Sequence, residues 1–234
     1  MKKLFCAAIV LVCAATLETH GQEKDVTTFL GIPVDGSKIE MLEKLRAKGF
    51  RNTSEANMLE GEFNGTNVYV AVVTNGNKVY RIMVADKNYQ GETDIKIRFN
   101  NLCRQFENNP RYMSMDREQT IPDDEDLAYE IAANDKRYEA SFYQNPLTDS
   151  LSTTQKSNYI VDKIHADLSS KYTQEQINNP SEEMADEIAD LLTKYTSDIL
   201  LKKSVWFMIS ESFGEYRILM YYDNEYNRAN GEDL

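Results

Sequence analysis

Apolar positions along this chain follow two rhythms, one helical and one alternating, and their order predicts the elements. Ile39, Leu42 and Leu45 recur at helical spacing behind Ser37. Ser37 and Glu40 form a capping box, each side chain able to satisfy a backbone N–H in the other's turn. Gly49 after Lys48 supplies a left-handed stop. Three strands follow. Met58–Phe63 runs into Asn64-Gly65, a favoured tight hairpin turn. Val68–Val73 is rich in β-branched residues, and Lys78–Ala85 returns after Thr74-Asn75-Gly76-Asn77.

A second helix spans Thr93–Asn108, with Ile95, Phe99, Leu102, Cys103 and Phe106 as its apolar stripe and Asn109-Pro110 as its stop. After an acidic loop, Pro122–Asp126, strict alternation sets in again. Leu127, Tyr129 and Ile131 predict one strand, and Tyr138, Ala140 and Phe142 a second. Helical spacing returns at 156–172 through Ile160, Ile164 and Leu168. It recurs from Pro180-Ser181 onward through Met184, Ile188, Leu191, Leu192, Tyr195 and Ile199. A final hairpin, Val205–Ser210 and Glu215–Tyr222, turns at Phe213-Gly214, and 223–234 reads as a polar tail.

Adjacent strands joined by tight turns imply antiparallel pairing and not βαβ units. The predicted class is therefore α+β: an antiparallel meander sheet, or sheets, with helices packed mainly on one face. A helix followed by strands occurs twice, which allows a duplicated helix-plus-sheet unit with sub-units 29–91 and 92–222 and the helical pair as an insertion.

The N-terminus has a different pattern. Lys2 and Lys3 precede an apolar run, Leu4–Leu17, and then polar Glu18–Gln22. That order marks a secretory signal over residues 1–21, with cleavage before Gln22 or after Ala15, and a short leader at 22–28. The run is shorter than the ~20 residues a bilayer-spanning helix needs. The expected location is exported and periplasmic. A lipid anchor at Cys13 is the alternative, disfavoured by bulky Val12 just before it.

Charge narrows the partners. With 38 acidic against 26 basic residues and a net charge of −12, the chain repels nucleic acid and anionic surfaces. The expected partner is an envelope protein or glycan.

Candidate chemistry is sparse. Beyond the signal segment the chain holds one histidine, His165, and one cysteine, Cys103, too few for zinc. Cys103 with His165 would make a nucleophile and base, yet Cys103 lies in an apolar stripe, where a buried cysteine acts as a small hydrophobe. No Gly-x-Ser-x-Gly elbow, phosphate-binding loop or dinucleotide-binding turn occurs. Asp86, Asn88 and Gln90 with Gly91 partly match a calcium loop, but Ile97 occupies the place of its bidentate glutamate, so a strand-to-helix turn is the expectation. No cofactor is expected.

Tyrosine is abundant, at 14 residues, many in strands. Trp206, Tyr221, Tyr222 and Tyr226 form the candidate binding patch, since amphipathic rings make good contact surfaces.

The stretch Phe29–Phe50, the glycine-turn meander and the ending Tyr221–Leu234 resemble uncharacterised exported proteins of gut Bacteroidetes, which implies export and no particular activity. The element order is also similar to periplasmic β-lactamase-inhibitor-like and PepSY-like modules, in architecture only. Together these readings point to a non-catalytic binding or interaction module of the envelope. The rival reading is a carboxylate-dependent glycan hydrolase, which requires two carboxyls in one cleft, one with a raised pKa.

Overall fold

The computed structural model describes residues 25–55, 58–116, 118–145 and 153–229. The expected signal segment with Cys13, residues 22–24 of the leader and the end of the tail lie outside the described residues. The described chain is α+β and falls into two compact units, one built on a sheet and one helical.

The sheet unit starts with a small hairpin, β1 (Thr28–Phe29) and β2 (Ile32–Pro33). Helix α1 (Lys38–Ala47) follows, with the Ser37–Glu40 capping box formed as expected. Then come β3 (Arg51–Asn52), β4 (Met58–Phe63), β5 (Thr66–Asn75) and β6 (Lys78–Asp86). The second half repeats that order. It runs through α2 (Glu92–Glu107), β7 (Tyr112–Met113), a short α3 (Leu127–Asn134), β8 (Glu139–Gln144), β9 (Ser204–Ser212) and β10 (Glu215–Asp223). All eight strands from β3 onward form one antiparallel sheet in the order β3-β4-β5-β6-β10-β9-β8-β7. Each half is thus a helix, a short edge strand and a three-stranded meander, and the two last strands, β6 and β10, pair at the centre. Both outer strands have two residues, which leaves little edge for unwanted pairing.

One face of this sheet carries the core. Met41, Leu42 and Leu45 of α1 and the predicted stripe of α2 meet alternate strand residues Val70, Val72, Ile82, Val84, Phe207, Ile218 and Met220 in a single buried cluster. Aromatic rings dominate one side of it. Phe106 stacks on Phe142 at 4.7 Å, and Phe99 meets Phe207 edge-on at 5.0 Å.

One expectation is overturned, and one polar segment is built into the fold. Residues Leu127–Ile131 are helix α3 and not a strand. The Asp126 carboxylate accepts from the Tyr129 N–H and caps a helix. Leu127 and Ile131, four apart, then share its inner face, while Tyr129 is 60% exposed. The segment read as the start of a polar tail is structural. Asp223 ends β10, and Asn224 and Asn227 are buried. Asn224 donates to the Val34 carbonyl at 2.7 Å, and Asn227 to that of Val79 at 2.8 Å. These amides satisfy backbone groups that would otherwise be orphaned.

Three more side-chain amides pair with backbone as a neighbouring strand would. Asn100 grips Ile121, Gln144 grips Thr28 and Gln119 grips Ser141, each through both the N–H and the C=O of its partner residue.

In chain order the helical unit lies between β8 and β9. It holds α4 (Thr153–Ser169), α5 (Gln174–Asn178) and α6 (Glu182–Leu201). Its core is Ile164, Leu168, Ile177, Met184 and Ile188. The short α5, unforeseen in the sequence, is closed by a Thr173–Gln176 capping box. No helix among the described residues is long and apolar enough to cross a membrane.

Candidate functional site

Strand geometry sorts the aromatic candidates. Neighbouring residues in a strand point to opposite faces. Tyr222 therefore enters the core, 3% exposed, with its ring 4.8 Å from Phe29. Burial raises its phenol pKa well above the ordinary value, helped by the neighbouring Tyr112 phenol. Tyr221 lies on the far face, away from α1 and α2.

Register builds the site on that far face. Tyr221 sits opposite Met83 of β6 and Trp206 of β9. Ala71 and Ser141 extend the same row outward on β5 and β8. The Trp206 and Tyr221 rings stack at 4.2 Å with planes 23° apart. Arg81 lies over Tyr221 at 4.8 Å and over Trp206 at 5.4 Å. Its guanidinium grips Asp223 through two hydrogen bonds, 2.6 and 2.7 Å. The Trp206 indole N–H donates to the same carboxylate at 3.0 Å, and the Thr27 hydroxyl donates to the Asp223 carbonyl.

The electrostatics follow from these contacts. Hydrogen bonding to Asp223 raises the Arg81 pKa, so the cation is fixed. Burial, the larger cause, raises that of Tyr221, which stays neutral. An aromatic pair, a fixed cation and a near-buried anion thus form a rigid, amphipathic platform. Met208 and Leu219, half-buried and paired in register, continue the surface along the same two strands.

Of the four predicted patch residues, then, Trp206 and Tyr221 are brought together and Tyr222 is in the core. Tyr226 lies on the turn after β10, under the Lys202 ammonium at 4.8 Å. Sequence reading missed Arg81 and Asp223. The available signal was a lone arginine in the otherwise uncharged run Val79–Ala85 and an aspartate closing an aromatic strand.

The other candidates have local partners. Asp86 is 3% exposed and held by two hydrogen bonds from Arg98, and the Gln90 backbone bridges to Tyr216. Asn88 is exposed. No cluster of three or more metal-binding side chains occurs among the described residues. Cys103 is fully buried, and burial pushes its thiol up to about 12. His165 is exposed on α4, with Nδ1 3.2 Å from the Ser169 hydroxyl.

Carboxylate pairs do occur in clefts. Glu60 and Glu62 share one of about 270 Å³, and Glu55 and Glu60 another of about 480 Å³. In both, Glu60 is tied to the Lys87 ammonium at 2.6 Å. Among the described residues, the carboxyls with displaced ionisation are Glu40, Glu125 and Glu187. Hydrogen bonds from Ser37, Lys136 and Lys171 respectively pull them down, the reverse of what a glycosidic general acid needs.

Comparison with protein-family models, curated proteins and solved structures found no match to this chain.

Proposed function

We propose that this chain is an exported, non-catalytic binding module that meets its partner on the far face of the sheet. The observation that carries this reading is the Trp206–Tyr221–Arg81–Asp223 platform. Enzymes place shifted acids, bases or nucleophiles in a cleft. Here the interlocked polar groups support aromatic rings on a broad strand surface instead. Rigid tyrosine and tryptophan rings beside an arginine are the residues that concentrate binding energy at interfaces. The partner class is an envelope protein or glycan, in keeping with the signal-like N-terminus and the strong negative charge.

Trp206 is the chain's single tryptophan, so the site contains its own reporter. Titration with soluble cell-wall oligosaccharides, and with solubilised envelope protein fractions, should shift indole emission saturably with one of the two. Tyr221→Ala should weaken that response at least tenfold while the circular dichroism of the fold is kept. Emission unmoved by either class would defeat the proposal.

A further inference from the structure

A second contact point lies at the other end of the same hairpin. Phe213 occupies the first position of the two-residue β9–β10 turn, with φ 54°, and Gly214 the second, with φ 79°. Turns of this kind need positive φ at both positions, which is why asparagine and glycine fill them. The β4–β5 turn follows that rule with Asn64-Gly65, and the β5–β6 turn with Gly76-Asn77. Phenylalanine here meets the Cβ–carbonyl crowding that makes the left-handed region unfavourable for ordinary side chains. Its ring is also 102% exposed, against neighbours such as Tyr216 at 2%. Folding stability thus gains nothing from this ring, either in the backbone or by burial. Strain held at an exposed apolar side chain points to use outside the fold.

The surroundings define what would receive it. Glu211 and Glu215 flank the turn, and Glu211 accepts the Gly214 N–H at 2.6 Å, so its carboxylate is fixed beside the ring. The one cation on the hairpin between 210 and 217, Arg217, is stacked over Tyr89 at 4.8 Å. An acidic collar around an apolar tip disfavours anionic lipid surfaces.

We propose that Phe213 is an anchor for a protein partner presenting an apolar socket rimmed by lysine or arginine. The anchor sits seven residues beyond Trp206, about 23 Å along the strand. The far-face platform and the tip are therefore separable sites, and failure of one leaves the other standing.

The test places the photo-crosslinker p-benzoylphenylalanine at position 213 of the full chain, in the producing cells, and sequences the crosslinked peptide. The expected adduct is one dominant protein segment with apolar residues beside lysine or arginine. Unlabelled wild-type protein should compete for it, whereas Phe213→Asn should compete at least tenfold less well. Phe213→Asn suits the turn, so its melting temperature should equal or exceed wild type, which separates loss of binding from loss of fold. Charge reversal, Glu211→Lys with Glu215→Lys, should also abolish the adduct. Adducts scattered over unrelated proteins, equal competition by Phe213→Asn, or phenylalanine-dependent binding to phosphatidylglycerol vesicles would overturn the proposal.

Discussion

On the helix-covered face of the sheet, Phe99, Phe106, Phe142 and Phe207 fill space with rings and no polar atoms. On the far face, Trp206 and Tyr221 stack just as closely but rest on a bidentate Arg81–Asp223 pair. Both arrangements fix ring positions. The first does so by excluding water from an apolar interior, and the second by tying rings to a near-buried carboxylate whose partner cation still reaches the surface. Burying charges is costly, so each face keeps them as bidentate pairs, Arg98–Asp86 at the end of β6 on the covered side and Arg81–Asp223 under the far-face rings. The difference is that the far-face pair also holds an aromatic ring, through the Trp206 indole N–H, on a surface that no helix of the sheet unit covers.

The largest effect should come from the covered face. Phe207 is fully buried and touches three other phenylalanine rings. Phe207→Ala should lower stability by about 3–5 kcal/mol, seen as a lower urea midpoint. It should leave Trp206 emission in the remaining folded protein near that of wild type. A loss under 1 kcal/mol would mean that this face is not the main core.

On the far face the corresponding change is Asp223→Ala. It strands Arg81 and removes the acceptor of the Trp206 N–H. Breaking a buried pair typically costs 3–5 kcal/mol, but the Arg81 side chain keeps 21% exposure and can turn to water. The expected loss is about 2–3 kcal/mol, with red-shifted and broadened indole emission, because the ring loses its tether. If Asp223→Ala left emission unchanged, the contrast between the faces would fall, since the charges would not be positioning the rings.

How much of this was readable beforehand depends on the range of the interaction. Local signals served well. The Ser37–Glu40 box, the Asn64-Gly65 turn and the α2 stripe were all legible within a few residues, and each formed. The error at 127–131 arose because Leu127, Tyr129 and Ile131 satisfy period two and, through Leu127 and Ile131, helical spacing as well. The Asp126 cap decided for helix. Strict alternation would have separated Tyr221 from Tyr222, a step the composition-based patch did not take. The Arg81–Asp223 pair and the amide grips of Asn100, Gln119 and Gln144 join residues far apart in sequence. They arise only once β6 lies beside β10 and the loops have closed, and no spacing rule encodes that.

The smallest and most selective test lies at the rim of the covered face, where a carboxylate does sit among ring contacts. Glu125 accepts hydrogen bonds from Lys136 and from the Tyr138 hydroxyl, and these, with Lys136 first, hold its pKa below the ordinary carboxylate value. A folded pKa below the unfolded one means stabilisation that is fully present above the unfolded value. It is lost as pH falls through the folded one. The window therefore opens below about pH 4.5, near the unfolded glutamate range. Glu125→Gln should flatten the stability-versus-pH curve there and leave it nearly unchanged at pH 7 to 8. Tyr138 belongs to the buried cluster, so its near-ultraviolet circular dichroism band should weaken on acidification in wild type before the Trp206 signal moves. Simultaneous loss of both signals would show that the rim and the far face respond to acid as one cooperative unit. The division between a ring-filled face and a charge-tethered one would then hold for packing but not for electrostatics.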